Sequence, residues 1–364
     1  MNTFGQLLKI TFFGESHSEL IGIVIDNLAP GITLDENLIK SQLQKRRPSG
    51  SLSTPRQEQD DYEIVSGYFN NQTTGAPLTI VIHNRVQLSE DYKHLEGKPR
   101  PSHSDYPAFI KYSGANDPRG GGIFSGRLTA LWMIIGAISK QILNAKGIYV
   151  GSHILSIKSI KDTGFDKSNV NNEFIEILEN SGFPVINHEI ETKMTAEILK
   201  AKNDGDSVGG IIESAIINLP AGLGEPLFLS FESYLAQALF SIPGVKGIEF
   251  GTGFSMTEKY GSEVNDEYFF DEGKVKTRSN NNGGILGGIT SGMPVILRLA
   301  IKPTPSISKK QHTVDLIENT NIELEIKGRH DPAIIQRAIH VVNSVLYFSA
   351  LDLLLLSQAN KWMR

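Results

Sequence analysis

The strongest constraint on how this chain can fold is that three of its features occur twice, in the same order. Residues 22–44, GIVIDNLAPGITLDENLIKSQLQ, run from an apolar strand pattern through Pro30-Gly31 into a helical pattern that begins near Leu34. Residues 211–240, IIESAIINLPAGLGEPLFLSFESYLAQALF, repeat that order around Pro220 and Gly222. TTGAPLTIVI at Thr73 is then matched by TSGMPVILRL at Thr290, each placing Gly and Pro ahead of a strand. Last, RGGGIFSGR from Arg119 and GRHDP at Arg329 each precede a long apolar helical stretch. Strand–turn–helix units resemble one another by chance, but a shared order favours two α+β halves from an internal duplication, packed as one body. No Pro/Gly/Ser-rich linker divides the chain, so a single domain over residues 1–364 is expected. The most polar region, roughly 158–206, carries a helix pattern at NNEFIEILENSG and an acidic loop at KNDGDSVGG, and reads as an excursion from that body.

Composition removes several classes of function. Hydrophobic residues at 40% and charged residues at 21% describe an ordinary globular chain. A net charge of −5 provides no global positive field for a nucleic acid, although local arginines can still hold a small anion. There is no cysteine, which excludes disulfides, thiolate catalysis and thiolate zinc sites. The start, MNTFGQLLKITFFGESH, lacks the pattern of a secretory signal. The two greasiest runs, LTALWMIIGAI and VLYFSALDLLLL, are shorter than a membrane span, and Asp352 interrupts the second. Both are expected to be buried core helices of a soluble, cytoplasmic protein with no membrane or nucleic-acid partner.

Charged and imidazole side chains gather in turns. FGESHS supplies Ser16 and His17 after a short strand-like run, and QKRRPSG ends a helix with Lys45, Arg46 and Arg47 before Pro48. KPRPSHSDY supplies Arg100 and His103 between stiffening prolines. IKPTPSIS supplies Lys302, Pro303, Thr304, Pro305 and Ser306, and GRHDP supplies Arg329, His330 and Asp331. Each has a structural alternative. The basic run can complement a helix dipole, a turn histidine can be merely hydrogen-bonded, and Asp331 can be an N-cap. His83, His94, His153, His188, His312 and His340 lack such company and receive no role.

Five Gly- or Pro-rich loops carrying Arg or Lys, most with His or Ser, shift the balance. Arginine forks match phosphate and carboxylate geometry, and histidine adds a group that titrates near neutral pH. From chemistry alone the chain reads as an enzyme acting on a phosphorylated or carboxylated metabolite. No G-x-x-x-x-G-K-[ST] run exists, and GGGIFSG lacks the acidic residue a dinucleotide fold requires about 20 residues on. No H-E-x-x-H motif or EF-hand loop appears, so no metal is indicated.

Taken in order, FGESHS, KRRPSG, TTGAP, RPSHSDY, RGGG…SGR, PAGLGEP, GGILGGITSGMP, KPTPSI and KGRHDPA resemble the chorismate synthase family over essentially the whole chain. The resemblance implies an α+β sandwich of helices and sheets with internal duplication, assembled as a homotetramer. It also implies anti-1,4-elimination of phosphate and hydrogen from 5-enolpyruvylshikimate 3-phosphate to chorismate, in the shikimate pathway of aromatic amino acid biosynthesis. The family requires reduced FMN although the reaction is redox-neutral. The chain has no room for a flavin reductase domain, so an external flavin reductant is implied.

Carried over position by position, His17 matches the histidine facing the substrate phosphate, with Ser16 beside it. His103 matches the histidine that keeps the reduced flavin correctly protonated. Asp331 matches the aspartate that takes a proton from flavin N5, with Ser125 as its neighbour and a further flavin contact. Arg46, Arg47, Arg100, Arg127 and Arg329 match positions that hold substrate carboxylates and phosphate. Gly287, Arg329 and the run Lys302, Pro303, Thr304, Pro305, Ser306 match FMN-binding positions, and Arg46 also matches a position associated with NADP. The chain departs from the family at Ile123, Phe124 and Leu128, where arginine, serine and glutamate are common, and at Pro243-Gly244 and Leu52. Two rivals remain: a flavin-dependent oxidoreductase, which would need a nicotinamide site the sequence does not credibly offer, and an inactive paralogue that binds FMN or anions, which the substitutions at Ile123 and Phe124 motivate.

Overall fold

Residues 20–26, LIGIVID, and 78–83, LTIVIH, are near-continuous apolar runs, the pattern of strands covered on a face by other elements. They pair with each other in a five-stranded antiparallel sheet. The computed structural model describes residues 2–47, 52, 60–85, 95–326 and 330–359. The first sheet comprises β1 (Thr3–Phe4), β2 (Lys9–Gly14), β3 (Leu20–Asp26), β4 (Tyr62–Ser66) and β5 (Leu78–His83), in the order β1-β2-β3-β5-β4. The second comprises β6 (Tyr149–Ile157), β7 (Ile160–Lys161), β8 (Gly210–Ile217), β9 (Val245–Phe250) and β10 (Val295–Ile301), in the order β7-β6-β8-β10-β9. Every pairing within the two sheets is antiparallel.

The helices among the described residues are α1 (Glu36–Arg46), α2 (Asp105–Lys111), α3 (Thr129–Asn144), α4 (Asn172–Asn180), α5 (His188–Asn203), α6 (Phe231–Leu239), the one-turn α7 (Gly261–Val264) and α8 (Ile335–Gln358). The runs β3-α1-β4-β5-α3 and β8-α6-β9-β10-α8 follow one plan, and four strands match in order between the sheets, β2-β3-β5-β4 and β6-β8-β10-β9. The fifth strand, β1 or β7, lies beside β2 or β6 but enters the chain before it in one half and after it in the other. The echoed turns make the same hydrogen bonds. Thr73 Oγ1 accepts from Ile32 N at 2.9 Å and donates to Ala29 O at 2.7 Å. Thr290 Oγ1 accepts from Leu223 N at 2.9 Å and donates to Pro220 O at 2.7 Å. Gly31 and Gly222, at φ of 82° and 96°, each donate to the backbone oxygen of that threonine, and left-handed backbone of this kind explains glycine at both places.

Helices α3 and α8 pack against each other between the two sheets, with α1 and α6 beside them. Leu131, Met133, Ile134, Ile135, Val342, Val345, Leu346 and Phe348 are wholly buried there. Their close approach is set at Gly136, where an added Cβ would lie 2.2 Å from the Cβ of Ser344. Helix α8 begins ten residues before the run VLYFSALDLLLL, and it is long and apolar enough to cross a membrane; 72% of its apolar window is nevertheless buried inside the protein. Asp352 in that helix is fully buried and fully used. Its carboxylate accepts the backbone N–H of Gln6 at 2.6 Å, Leu7 at 2.9 Å and Leu8 at 2.8 Å, and the Tyr234 hydroxyl. Burial and the Asp352 charge push the Tyr234 hydroxyl far above its ordinary pKa, so it stays a donor.

Residues 158–206 carry α4, capped by Asn171 as its sequence suggests, and also α5, which charge-rich HEIETKMTAEILKAKN conceals. Helix α5 buries only Met194, Ile198 and Ala201, one narrow stripe at helical spacing.

Asp352→Asn places an amide donor among four donors. It is expected to lower unfolding free energy by about 3 kcal/mol, as for a buried ionic network broken on one side. Urea denaturation measures the loss, and hydrogen exchange should rise first at the amides of Gln6, Leu7 and Leu8.

Candidate active site

Loops distant in sequence meet around a cavity of about 700 Å³, within the range of roughly 300–1,000 Å³ common for small-molecule sites. Its wall includes Ser16, Arg46, Arg47, His103, Ser125, Arg127, Lys302 to Ser306 and Asp331. Ser16 follows β2, Arg46 and Arg47 end α1, Lys302 follows β10, and Asp331 precedes α8. Arg100 joins from the neighbouring wall, its Nη1 3.5 Å from Ser306 Oγ. Arg329 lies outside the described residues. Gly287 is not brought to this cavity: it turns a short hairpin between Ile285–Leu286 and Ile289–Thr290, next to the start of α6, where Phe231 N donates to Gly288 O.

The triple glycine explains how the turn residues come so close. Gly120, Gly121 and Gly122 have φ of 60°, 86° and 54°, backbone that side chains rarely adopt. A Cβ on Gly120 would lie 2.7 Å from His17 Nε2 and 2.8 Å from Ser16 Oγ, and one on Gly121 would lie 3.5 Å from His103 Cε1. The loop is therefore the floor on which both histidines rest. His17 is 4% exposed behind this floor, with Ser16 on the cavity wall. Ile123 and Phe124 follow the glycines, each 37% exposed on the wall, and give the cavity an apolar side.

His103 is oriented by its own turn. Its Nδ1 lies 2.6 Å from Asp105 Oδ1, so a carboxylate acceptor assigns the Nδ1 proton and leaves Nε2 beside Gly121. Arg100 grips the same carboxylate, Nε to Oδ2 at 2.7 Å and Nη2 to Oδ1 at 2.8 Å. Burial raises the Asp105 pKa, but hydrogen bonds and charge from Arg100 and His103 outweigh it and hold the group well below the usual carboxylate range. Lys302 donates to Ser102 O at 2.6 Å, and burial, with Lys246 nearby, lowers its pKa from the ordinary lysine value.

Three contributors escaped the sequence reading. Asp60, buried among Arg46, Arg47 and Arg127, takes Arg46 Nη2 at 3.0 Å and Arg127 Nη1. Asn84 accepts Arg127 Nε at 3.0 Å. Arg337, on the first turn of α8, lines the cavity and donates to Asp331 Oδ2. Asp331 is thus an ion-pair partner and not the helix cap, a position held by Ile334 without a side-chain bond. The signal in sequence was slight: Asp60 follows no basic motif, and Arg337 sits in a helix that reads as core.

Gly120→Ala combines a strained φ with a steric conflict at His17 and Ser16. A loss of about 1–3 kcal/mol in stability is expected, with altered imidazole resonances of His17. Urea denaturation and NMR of the histidine ring check both.

The family model described as chorismate synthase matches residues 8–355. Chorismate synthase of Pyrococcus abyssi is 46% identical over 351 residues, covering 96% of this chain and 97% of that protein. Its counterpart in Korarchaeum cryptofilum is 44% identical over 350 residues, covering 96% of each. A crystal structure of chorismate synthase superposes with a TM-score of 0.75 at 28% identity, covering 98% of this chain and 94% of that one. With several of the family's motifs meeting at one cavity and its sequence pattern running nearly end to end, the chain belongs to the chorismate synthase family.

Proposed function

We propose that this chain catalyses the anti-1,4-elimination of phosphate and hydrogen from 5-enolpyruvylshikimate 3-phosphate, giving chorismate, with reduced FMN bound in the same cavity. The observation that carries this reading is the meeting of Arg46, Arg47, Arg127 and Arg337 with His103 and Asp331 in one cavity. A substrate with two carboxylates and a phosphate needs several fixed cations, and guanidinium forks suit each of those groups. Arg46, Arg47, Arg100, Arg127 and Arg329 hold it, and Ser16 and His17 serve the phosphate. His17 donates a proton to the departing phosphate oxygen, while the arginines stabilise the charge that develops there.

The residues fit a flavin. Ile123, Phe124, Ile242 and Pro243 provide apolar wall for a flat ring, and Lys302 to Ser306 form one polar rim. Thr304 Oγ1 is buried with no hydrogen-bond partner among the described residues, a group suited to a ligand's polar atoms. When bound, reduced FMN supplies an electron-rich ring that supports loss of phosphate without net oxidation. His103, its Nδ1 engaged by Asp105, presents Nε2 as a proton-holding group, and Asp331, held by Arg337, is the carboxylate on the wall to accept a proton, with Ser125 on the same wall.

The chain acts as a single domain and depends on flavin reduced elsewhere. Assembly with further copies, which the family resemblance implies to be a homotetramer, would cover apolar side chains that the single chain leaves open, among them Phe228 at 95% exposed and Phe254 and Phe270 at 81%.

The test is anaerobic: protein, dithionite-reduced FMN and 5-enolpyruvylshikimate 3-phosphate, with chorismate absorbance and released phosphate followed together. Product should form in equal amounts with phosphate; folded, flavin-bound protein that makes none would defeat the reading. His17→Ala and Asp331→Ala should each lower kcat by about 10²–10⁴-fold without unfolding, the range for a lost proton-transfer group. A wild-type rate in either removes that residue from its role.

A further inference from the structure

The arginines of the cavity are held by a carboxylate to which the reaction above gives no part. The Asp60 side chain has no exposed surface, yet it lies within reach of three guanidiniums. Arg46 Nη2 donates to Oδ2 at 3.0 Å and Oδ1 at 3.3 Å. Arg127 Nη1 donates to Oδ1, and Arg47 Nε approaches Oδ2 at 3.9 Å. Second contacts complete the anchoring. Arg127 Nε donates to Asn84 Oδ1 at 3.0 Å, and Arg46 Nη1 reaches Gly126 O at 3.5 Å.

A guanidinium is planar, with five N–H donors in fixed directions. Pinning one edge to Asp60 therefore fixes where the remaining donors point. Arg46 and Arg127 both line the cavity, and Arg46 Nε is buried with no partner among the described residues. Burial alone would raise the Asp60 pKa, but Arg46 and Arg127 more than offset it, so the carboxylate stays charged near neutral pH.

We infer that Asp60 is a positioning residue that sets Arg46 and Arg127 at a fixed mutual angle, so that the edges of these forks that line the cavity meet a phosphate or carboxylate of the ligand. It acts through the arginines and does not touch that ligand. The identity of the natural ligand rests on the function proposed above; the anchoring itself does not. A carboxylate that only neutralised the cluster would have the opposite consequence on removal, because a more positive cavity would bind anions more tightly.

Calorimetric titration of flavin-free protein separates these cases, with 5-enolpyruvylshikimate 3-phosphate and inorganic phosphate as separate probes, wild type against Asp60→Asn. We expect Kd for both probes to weaken at least tenfold in Asp60→Asn, and kcat/KM with reduced FMN to fall at least as far. Should Asp60→Asn fail to fold, Asp60→Glu keeps the charge but displaces it by one methylene, and at least threefold weaker binding is expected. Unchanged or tighter binding in a folded variant overturns the inference, as does a fall in kcat with no change in Kd. If wild type binds phosphate but not the enolpyruvyl substrate, the proposed function fails and the phosphate titration still decides Asp60. If wild type binds neither, no anion is being positioned and the inference is wrong.

Discussion

Burial of α3 and α8 against each other, between two antiparallel sheets, is the constraint on which the rest of the structure depends. Both helices are apolar around most of their circumference, so they can be satisfied only in a layer covered on both sides. Gly136 brings them close enough to pack against Ser344. Asp352 shows how tightly the layer is specified. A carboxylate in that position is tolerable because three backbone amides and the Tyr234 hydroxyl converge on it, which ties the N-terminal segment and α6 to the final helix. Polar loops have no place inside such a layer and collect around it, and there the cavity forms.

The site's electrostatics follow from that crowding. Several arginines converge because their loops leave neighbouring elements, and their mutual repulsion is limited by acidic partners placed among them: Asp60 for Arg46 and Arg127, Asp105 for Arg100, Asp331 for Arg337. Each pair also orients a group with chemistry to offer. Asp105 fixes the His103 tautomer, and Asp60 fixes two forks. The same device appears away from the cavity, where His153 is enclosed with Glu213 and Asp162. Burial disfavours its charge, but the two carboxylates prevail and raise its pKa. That histidine ties β6 to β8 through Glu213.

Much of this was legible in the residues. The twofold order of strand, Pro/Gly turn and helix foretold two similar α+β halves, because the turns are local and their glycines and threonines make the same bonds in each half. Ser16, His17, His103 and the Lys302–Ser306 run were found as turn residues flanked by Gly or Pro, and they meet. Gly287 does not reach the cavity of this chain, and Asp331 pairs with Arg337 instead of capping α8. Helix α5 was missed because its buried stripe is one side chain wide. Asp60, Asn84 and Arg337 were missed because nothing in their own segments marks them; only their partners do.

The sequence by itself determined the repeated architecture, the apolar helices and the inventory of Arg, His and Gly turns, since each depends on spacing within a short stretch. It also determined that glycine, and not a larger residue, stands at positions 120 to 122. Only the tertiary structure decided why. At Gly120 a side chain would meet His17 and Ser16, at Gly122 it would meet Asp117 O, and all three glycines hold left-handed backbone that side chains rarely adopt. It likewise decided which carboxylate serves which arginine, because charge pairing across distant segments depends on three-dimensional distance, and no local pattern encodes that.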